Sequence, residues 1–426
     1  MNIQLLMTGN ELMSGDIIDS NSAMIADQLQ PLGITVTRRV TVGDNLQQLV
    51  DEIQYISQSA DLLIVNGGLG PTTDDMTSQA LALATGTELV ENAEALAHLT
   101  QWCEQRNAQL NAANLKQTIL PEGCEVVPNP RGTAVGFQMP LNDCLVVCTP
   151  GVPSELKVML QQTIIPALQN LVNPDNACVR DRFHTFGLGE SRLQQLIADQ
   201  IPDWPKQLEL GFRAGAPTLE VKVQSAQRDN ALHQEYVDKL TQLLQDNITS
   251  SGSESQAQAL VKLLTEQQKK ITCVESCTGG LIASMITSVP GSSAVFEAGF
   301  VTYSNAQKTA MVGVNETTLI ENGAVSEQTV REMAAGGLEK AEADYVIAVS
   351  GIAGPDGGSD DKPVGTVWIA WGDHEQIDAA RLYLPYHRKL FQTMVAGTGL
   401  DLIRRKLQGV EQPANYLTER VHPSWK

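Results

Sequence analysis

Basic residues are scarce in this chain. Its 426 residues hold 29 lysines and arginines against 49 aspartates and glutamates, a formal net charge of −20. A basic face able to neutralise a nucleic-acid backbone is hard to build from that balance, so no nucleic-acid partner is expected. A solvated acidic surface accounts for most of the excess. Long hydrophobic runs are also missing, and none is long enough to span a bilayer. The opening MNIQLLMTGNELMSGD has neither the basic start nor the apolar stretch of a secretory signal. A cytoplasmic location without a membrane partner is the expectation. The cysteines number seven, an odd count, and several lie in apolar strand-like runs (Cys144, Cys148, Cys273). Reduced, buried thiols fit that pattern better than a disulfide framework. Cys144 and Cys148, like Cys273 and Cys277, lack a second pair or histidines at zinc spacing, which argues against a zinc site.

What is present is one grammar used twice. DLLIVNGGLGPTTDD runs from Asp61 to Asp75, and DYVIAVSGIAGPDGG from Asp344 to Gly358. Each is an apolar run followed by Gly-x-x-Gly-Pro and then acid. An apolar run bounded by glycines reads as a buried strand of a parallel sheet. Glycine at its carboxyl end lets backbone approach a ligand closely, and ligands of open α/β sheets sit at that end. Two small-molecule sites in two domains follow.

The chain is long enough for two or three domains. Over residues 1–170, strand and helix signals alternate, which gives an α/β sandwich with a largely parallel sheet. Within it, Asp44 is read as the cap of the following helix and residues 91–116 as one long polar helix. LVNPDNACVRDR reads as a linker, residues 171–253 as a small α+β module, and ITSSGSESQ as a second, Ser-rich linker. Residues 254–426 return to alternating strands and helices and close on the helix HRKLFQTMVAGTGLDLIRRKL.

In the first domain Gly67, Gly68, Gly70 and Thr72 form a strand-end loop, with Asp74 and Asp75 at the expected start of a helix. Exposed N–H groups there attract phosphate, and carboxylates beside them suit a hard divalent cation. TGNEL adds Glu11 and TPGVPSE adds Glu155 from two further strand ends. Asp74 and Asp75 alone would as readily be helix caps; three acid-bearing strand ends together favour a metal–phosphate pocket. In the last domain Ser276, Ser292, Ser293, Tyr303, Lys308 and Ser350 stand in or beside glycine-bearing loops that hold no histidine. A Ser-His-Asp triad is therefore not offered. A serine still needs a base, and a lysine serves if burial lowers its pKa. For any one of these residues a plain turn or surface role is the commoner outcome.

The segments TGNELMSGDIIDSN, NGGLGPTTDDMT, PGVPSELK, ESCTGGLIASMIT, VPGSSAVFEAGFVTYSNAQK and SGIAGPDGGSDDKPVGTVW resemble the CinA family over nearly the whole chain. The resemblance implies a molybdopterin-binding-like α/β domain similar to a divalent-metal-dependent ADP-ribose pyrophosphatase, with magnesium or a similar ion at Asp74, Asp75 and Glu11. Asn10 stands where many relatives carry an acid. For 171–253 it implies a KH-type or ferredoxin-like module, and FGLGES is the clearest signature there. For 254–426 it implies a nicotinamide mononucleotide deamidase of the PncC type that needs no cofactor. Carried over by motif, Ser293 becomes the nucleophile, Lys308 its base and Tyr303 a proton relay. Ser276, Ser350, Gly351, Gly354, Thr278 and Gly279 would line the pocket. Arg388 would hold the 5′-phosphate, with Gln392 near the place of a second arginine. A homodimer is expected by the same resemblance. The rival readings are pterin binding without hydrolysis, one degenerate site, or a scaffold protein linked to competence.

Overall fold

The computed structural model describes residues 1–425, which divide into two compact units, Met1–Val179 with Ala226–Asn230, and Arg180–Ser225 with the chain from Ala231 onward. In the first unit a six-stranded sheet has the order Val36–Val42, Ile3–Thr8, Leu62–Asn66, Cys144–Thr149, Gly136–Leu141, Glu125–Val127. The first four strands are parallel, and the last two run antiparallel to their neighbours. The apolar runs are continuous because both faces are covered. Leu6, Val65 and Cys148 face one core layer, while Leu5, Met7 and Ile64 face the other. Register aligns the carboxyl ends: Met7 pairs with Asn66, and Asn66 with Thr149. The three loops that follow these strands therefore open on one edge.

The second unit holds two sheets. A four-stranded sheet orders Glu209–Arg213, Leu219–Ala226, Cys178–Thr185, Ile248–Ser251 and packs the helices Glu190–Gln200 and Asn230–Leu244 on a core of Leu193, Val221, Val223 and Leu240. A five-stranded sheet orders Gly299–Val301, Ile271–Glu275, Tyr345–Gly351, Thr366–Gly372, Ile377–Tyr383. Its first three strands are parallel and its last two antiparallel. Glu275 is in register with both Val301 and Val349, so the next residues, Ser276, Thr302 and Ser350, share one edge. The Arg388–Leu407 helix is buried along most of its length. Among the described residues no helix is long and apolar enough to cross a membrane.

Several expectations are corrected. The segment 91–116 is not one helix: Ala93–Gln105 stops where Asn107 turns to φ 51° and the Ala108 N–H donates back to the Cys103 carbonyl. A second short helix, Ala112–Leu115, restarts on an Asn111 cap. The helix Leu46–Ser57 is capped by Asn45, whose Oδ1 accepts from the Gln48 N–H at 3.1 Å; Asp44 does other work. Both segments read as linkers contribute strand: Cys178–Thr185 begins inside the first, and Ile248–Ser251 fills the start of the second.

Candidate functional sites

In the first unit Gly67 and Gly68 follow the Leu62–Asn66 strand at φ 110° and 67°. A Cβ at Gly67 would stand 2.7 Å from the Thr8 carbonyl oxygen, so only glycine fits against the neighbouring strand end. The loop borders a cavity of about 560 Å³ lined by Gly67, Gly68, Gly70, Asp74, Asp75, Glu11, Asp44 and Glu155 among others. Thr72 lies outside this lining and organises the acids. Its N–H donates to Asp75 Oδ2 at 2.9 Å, and its hydroxyl bonds both Asp75 and Asp74. That hydroxyl, with the backbone N–H of Asp74 itself, holds the Asp74 carboxyl below the usual carboxylate range. The two acids do not start the helix, which begins at Thr77 with no side-chain cap.

Asp44 and Gln117 are lining residues that the sequence reading did not assign to the site. Asp44 accepts from the Asn10 N–H at 3.0 Å, and its own N–H donates to Asn10 Oδ1 at 3.1 Å. The amide at position 10 thus avoids a second carboxylate beside Asp44. Glu155 accepts from Asn129 Nδ2 at 2.7 Å. Among the described residues no three acidic, histidine or cysteine side chains stand close enough to enclose a metal ion. Asp74, Asp75 and Glu11 therefore do not form a closed ligand shell. The carboxylates of the lining fit a cation held by one or two of them that keeps waters and takes substrate phosphate.

The site of the second unit forms where the parallel strands of its five-stranded sheet end. Ser276 follows the Ile271–Glu275 strand; its N–H donates to the Val349 carbonyl at 3.0 Å. Lys308, on the helix Asn305–Val312, is 1% exposed. Its Nζ donates to Ser276 Oγ at 3.0 Å, to the Thr302 carbonyl at 2.9 Å and to the Tyr303 carbonyl at 3.4 Å. No carboxylate contacts it, so burial lowers its pKa below the ordinary value of 10.5. A cavity of about 210 Å³ opens here, lined by Ser276, Cys277, Tyr303, Asn305, Lys308, Ser350, Gly351 and Arg388 among others. Arg388 Nη1 donates to the Gly354 carbonyl and Nη2 to the Tyr303 hydroxyl, each at 3.1 Å. Gln392, one turn further along that helix, donates to the Cys277 carbonyl at 2.9 Å. Ser350 Oγ donates to the Ala324 carbonyl at 2.7 Å, which commits its proton. Burial pushes the Cys277 thiol up to about 12, so it is no nucleophile at neutral pH.

Four carried-over positions, Ser293, Thr278, Gly279 and Gly354, lie outside the cavity lining. Ser293 sits exposed in the 3₁₀ turn Ser292–Ala294, outside the cavity lining. The hydroxyl hydrogen-bonded to Lys308 Nζ is that of Ser276, not that of Ser293. Thr278 and Gly279 belong to the turn behind Ser276 rather than to the cavity wall, and the buried Thr278 hydroxyl has no protein partner. Asn305 and Glu275 were not singled out from sequence. Asn305 borders the cavity, and Glu275 lies beneath Ser276 with its carboxylate on three backbone N–H groups. An acid as the last residue of an apolar strand was the available signal.

A strand-end serine on a buried lysine and a glycine-lined acidic cavity, each on its own α/β sheet, are the two candidate sites. Residues 4–170 match the probable molybdopterin binding domain, and residues 253–407 match the CinA C-terminal domain. A CinA-like protein of Colwellia psychrerythraea is 51% identical over 423 residues, covering 98% of each chain. The nicotinamide-nucleotide amidohydrolase PncC of Shewanella oneidensis is 39% identical over 411 residues, covering 96% of each. The crystal structure of the competence/damage inducible protein CihA from Agrobacterium tumefaciens is 40% identical, covers 36% of this chain and 93% of its own, and gives a TM-score of 0.35. The chain belongs to the CinA family.

Proposed function

We propose that the second unit is an amidohydrolase that converts nicotinamide mononucleotide and water to nicotinate mononucleotide and ammonia. The observation that carries this reading is the 3.0 Å contact between the buried Lys308 Nζ and Ser276 Oγ. The name of the 39% identical Shewanella relative supports the substrate class. With its amine neutral, Lys308 takes the Ser276 hydroxyl proton as Oγ attacks the carboxamide carbon. The resulting ammonium returns that proton to the amide nitrogen, the C–N bond breaks, and ammonia leaves. Water, deprotonated by the same amine, then attacks the ester; the serine oxygen recovers its proton and the nicotinate product departs. The pocket of about 210 Å³ takes the reacting end of the ligand, smaller than a pocket that encloses a whole nucleotide. Arg388, which borders it, would receive the 5′-phosphate.

The test is ammonia release from nicotinamide mononucleotide by wild type, Ser276→Ala and Ser293→Ala. Release that vanishes with Ser276→Ala and persists with Ser293→Ala is expected; the reverse pattern moves the nucleophile to Ser293.

A second reading concerns the first unit: hydrolysis of ADP-ribose to AMP and ribose 5-phosphate, assisted by a divalent cation. It is favoured by the glycine loop and the carboxylates that share one cavity. Asp74 and Asp75 would hold the cation, which supplies charge neutralisation at the pyrophosphate and a more acidic water. Gly67, Gly68 and Gly70 would let the phosphates approach the backbone.

A further inference from the structure

We infer that Glu275 is the positioning residue that fixes Ser276 against Lys308, an inference that rests on the amidohydrolase reading above. Glu275 ends the Ile271–Glu275 strand, the middle one of the three parallel strands, and is 0% exposed. A carboxylate so placed is costly unless its oxygens are satisfied. Here Oε2 accepts from the N–H groups of Gly280 at 3.0 Å and Ile282 at 3.1 Å, and Oε1 from that of Ala283 at 2.8 Å. These donors open the Leu281–Thr287 helix, whose N-cap Gly280 offers no side chain. The Glu275 backbone, meanwhile, is locked in the sheet: its carbonyl accepts from the Thr302 N–H at 2.8 Å.

One residue therefore closes the turn Ser276–Gly280 from both sides, its backbone in the strand and its side chain on the helix. Ser276 is the first residue of that closed turn. Its remaining supports come from the Val349 carbonyl in the sheet and from Gln392, which holds the next carbonyl, that of Cys277. The negative charge of Glu275 is balanced by the positive end of the helix it caps. The same bonds withhold those N–H groups from an incoming anion. A phosphorylated substrate is left with Arg388, which borders the cavity, as its cationic contact.

The test is Glu275→Gln in the full chain, with Glu275→Asp beside it. Glutamine supplies one acceptor oxygen and turns an NH₂ donor toward backbone donors, so at least one of the three bonds is lost. Aspartate keeps the charge but is one methylene too short to reach all three. For both variants, kcat of ammonia release from nicotinamide mononucleotide is expected to fall about 10- to 100-fold, as a displaced nucleophile requires. KM should stay within about threefold, because no substrate contact is removed. Amide hydrogen exchange over Ser276–Ala283 should quicken while the rest of the unit keeps its protection. A wild-type kcat and wild-type local exchange in Glu275→Gln would overturn the inference. So would a loss of protection throughout the unit in both variants, which would make Glu275 a general stability residue. If wild type releases no ammonia, the amidohydrolase reading fails instead, and the local exchange pattern alone decides the anchoring role.

Discussion

Replacing Lys308 by methionine separates the chemistry of this lysine from its packing. The side chain is 1% exposed and unbranched, so methionine fills most of the same space. What is lost is the amine, with its bonds to Ser276 Oγ and to the Thr302 and Tyr303 carbonyls. A buried carbonyl left without a donor costs about 1–3 kcal/mol. Removing an amine held in an apolar setting returns part of that cost, so the melting temperature should shift by only a few degrees. Catalysis should respond very differently. Loss of a general base costs about 10²- to 10⁴-fold, or about 2.7–5.4 kcal/mol at 1.36 kcal/mol per decade. The pH dependence carries a sign. The base must be neutral, and burial lowers the Lys308 pKa from 10.5. Ammonia release by wild type should therefore rise with pH through a midpoint below 10.5, then level off. Initial rates from about pH 6 to about pH 10 read both quantities. A Lys308→Met protein that keeps the wild-type rate, or the wild-type rising limb, would refute the assignment of this amine as the base.

Arg388→Ala should raise KM for nicotinamide mononucleotide about tenfold or more, the equivalent of one charge-assisted hydrogen bond, and leave KM for the unphosphorylated riboside nearly unchanged. Equal losses on both substrates would instead point to its contacts with Tyr303 and Gly354. ADP-ribose hydrolysis should disappear on chelation with EDTA and return with magnesium, while ammonia release should be indifferent to both; metal-independent hydrolysis of ADP-ribose would sink the second reading.

The strand ends were legible because each rests on a local rule. An apolar run that stops at glycine announced Leu62–Asn66 and Tyr345–Gly351. The polar stretch 91–116 misled because Asn107 ends its helix through a left-handed turn, which no glycine or proline flags. Ile248–Ser251 was hidden because its strand character comes from pairing with Cys178–Thr185, far away in sequence. Lys308 was legible as a lysine but not as a buried one. Its depth depends on the approach of the Asn305–Val312 helix to the turn after Ile271–Glu275, a tertiary fact. The same limit applied to the serines. Motif adjacency favoured Ser293, whereas the parallel register of three strands brings Ser276 to the amine.

The formal charge of −20 conceals two sites of opposite sign. The cavity of the second unit is bordered by Lys308 and Arg388, and no carboxylate is among its lining residues. An anionic mononucleotide would meet the fixed cation of Arg388 there, against the repulsion of the surrounding acidic surface. The cavity of the first unit is bordered by Glu11, Asp44, Asp74, Asp75 and Glu155, with no lysine or arginine in its lining. A pyrophosphate in that cavity meets only like charge from the side chains, which repel it even with backbone N–H groups on hand. The two requirements, for a hard cation and for its phosphate-bearing substrate, are then met together, since each neutralises what the other is repelled or attracted by. On this reading the acidity of the lining is what makes the first site metal-dependent, and the lack of a carboxylate in the lining of the second leaves burial to lower the Lys308 pKa.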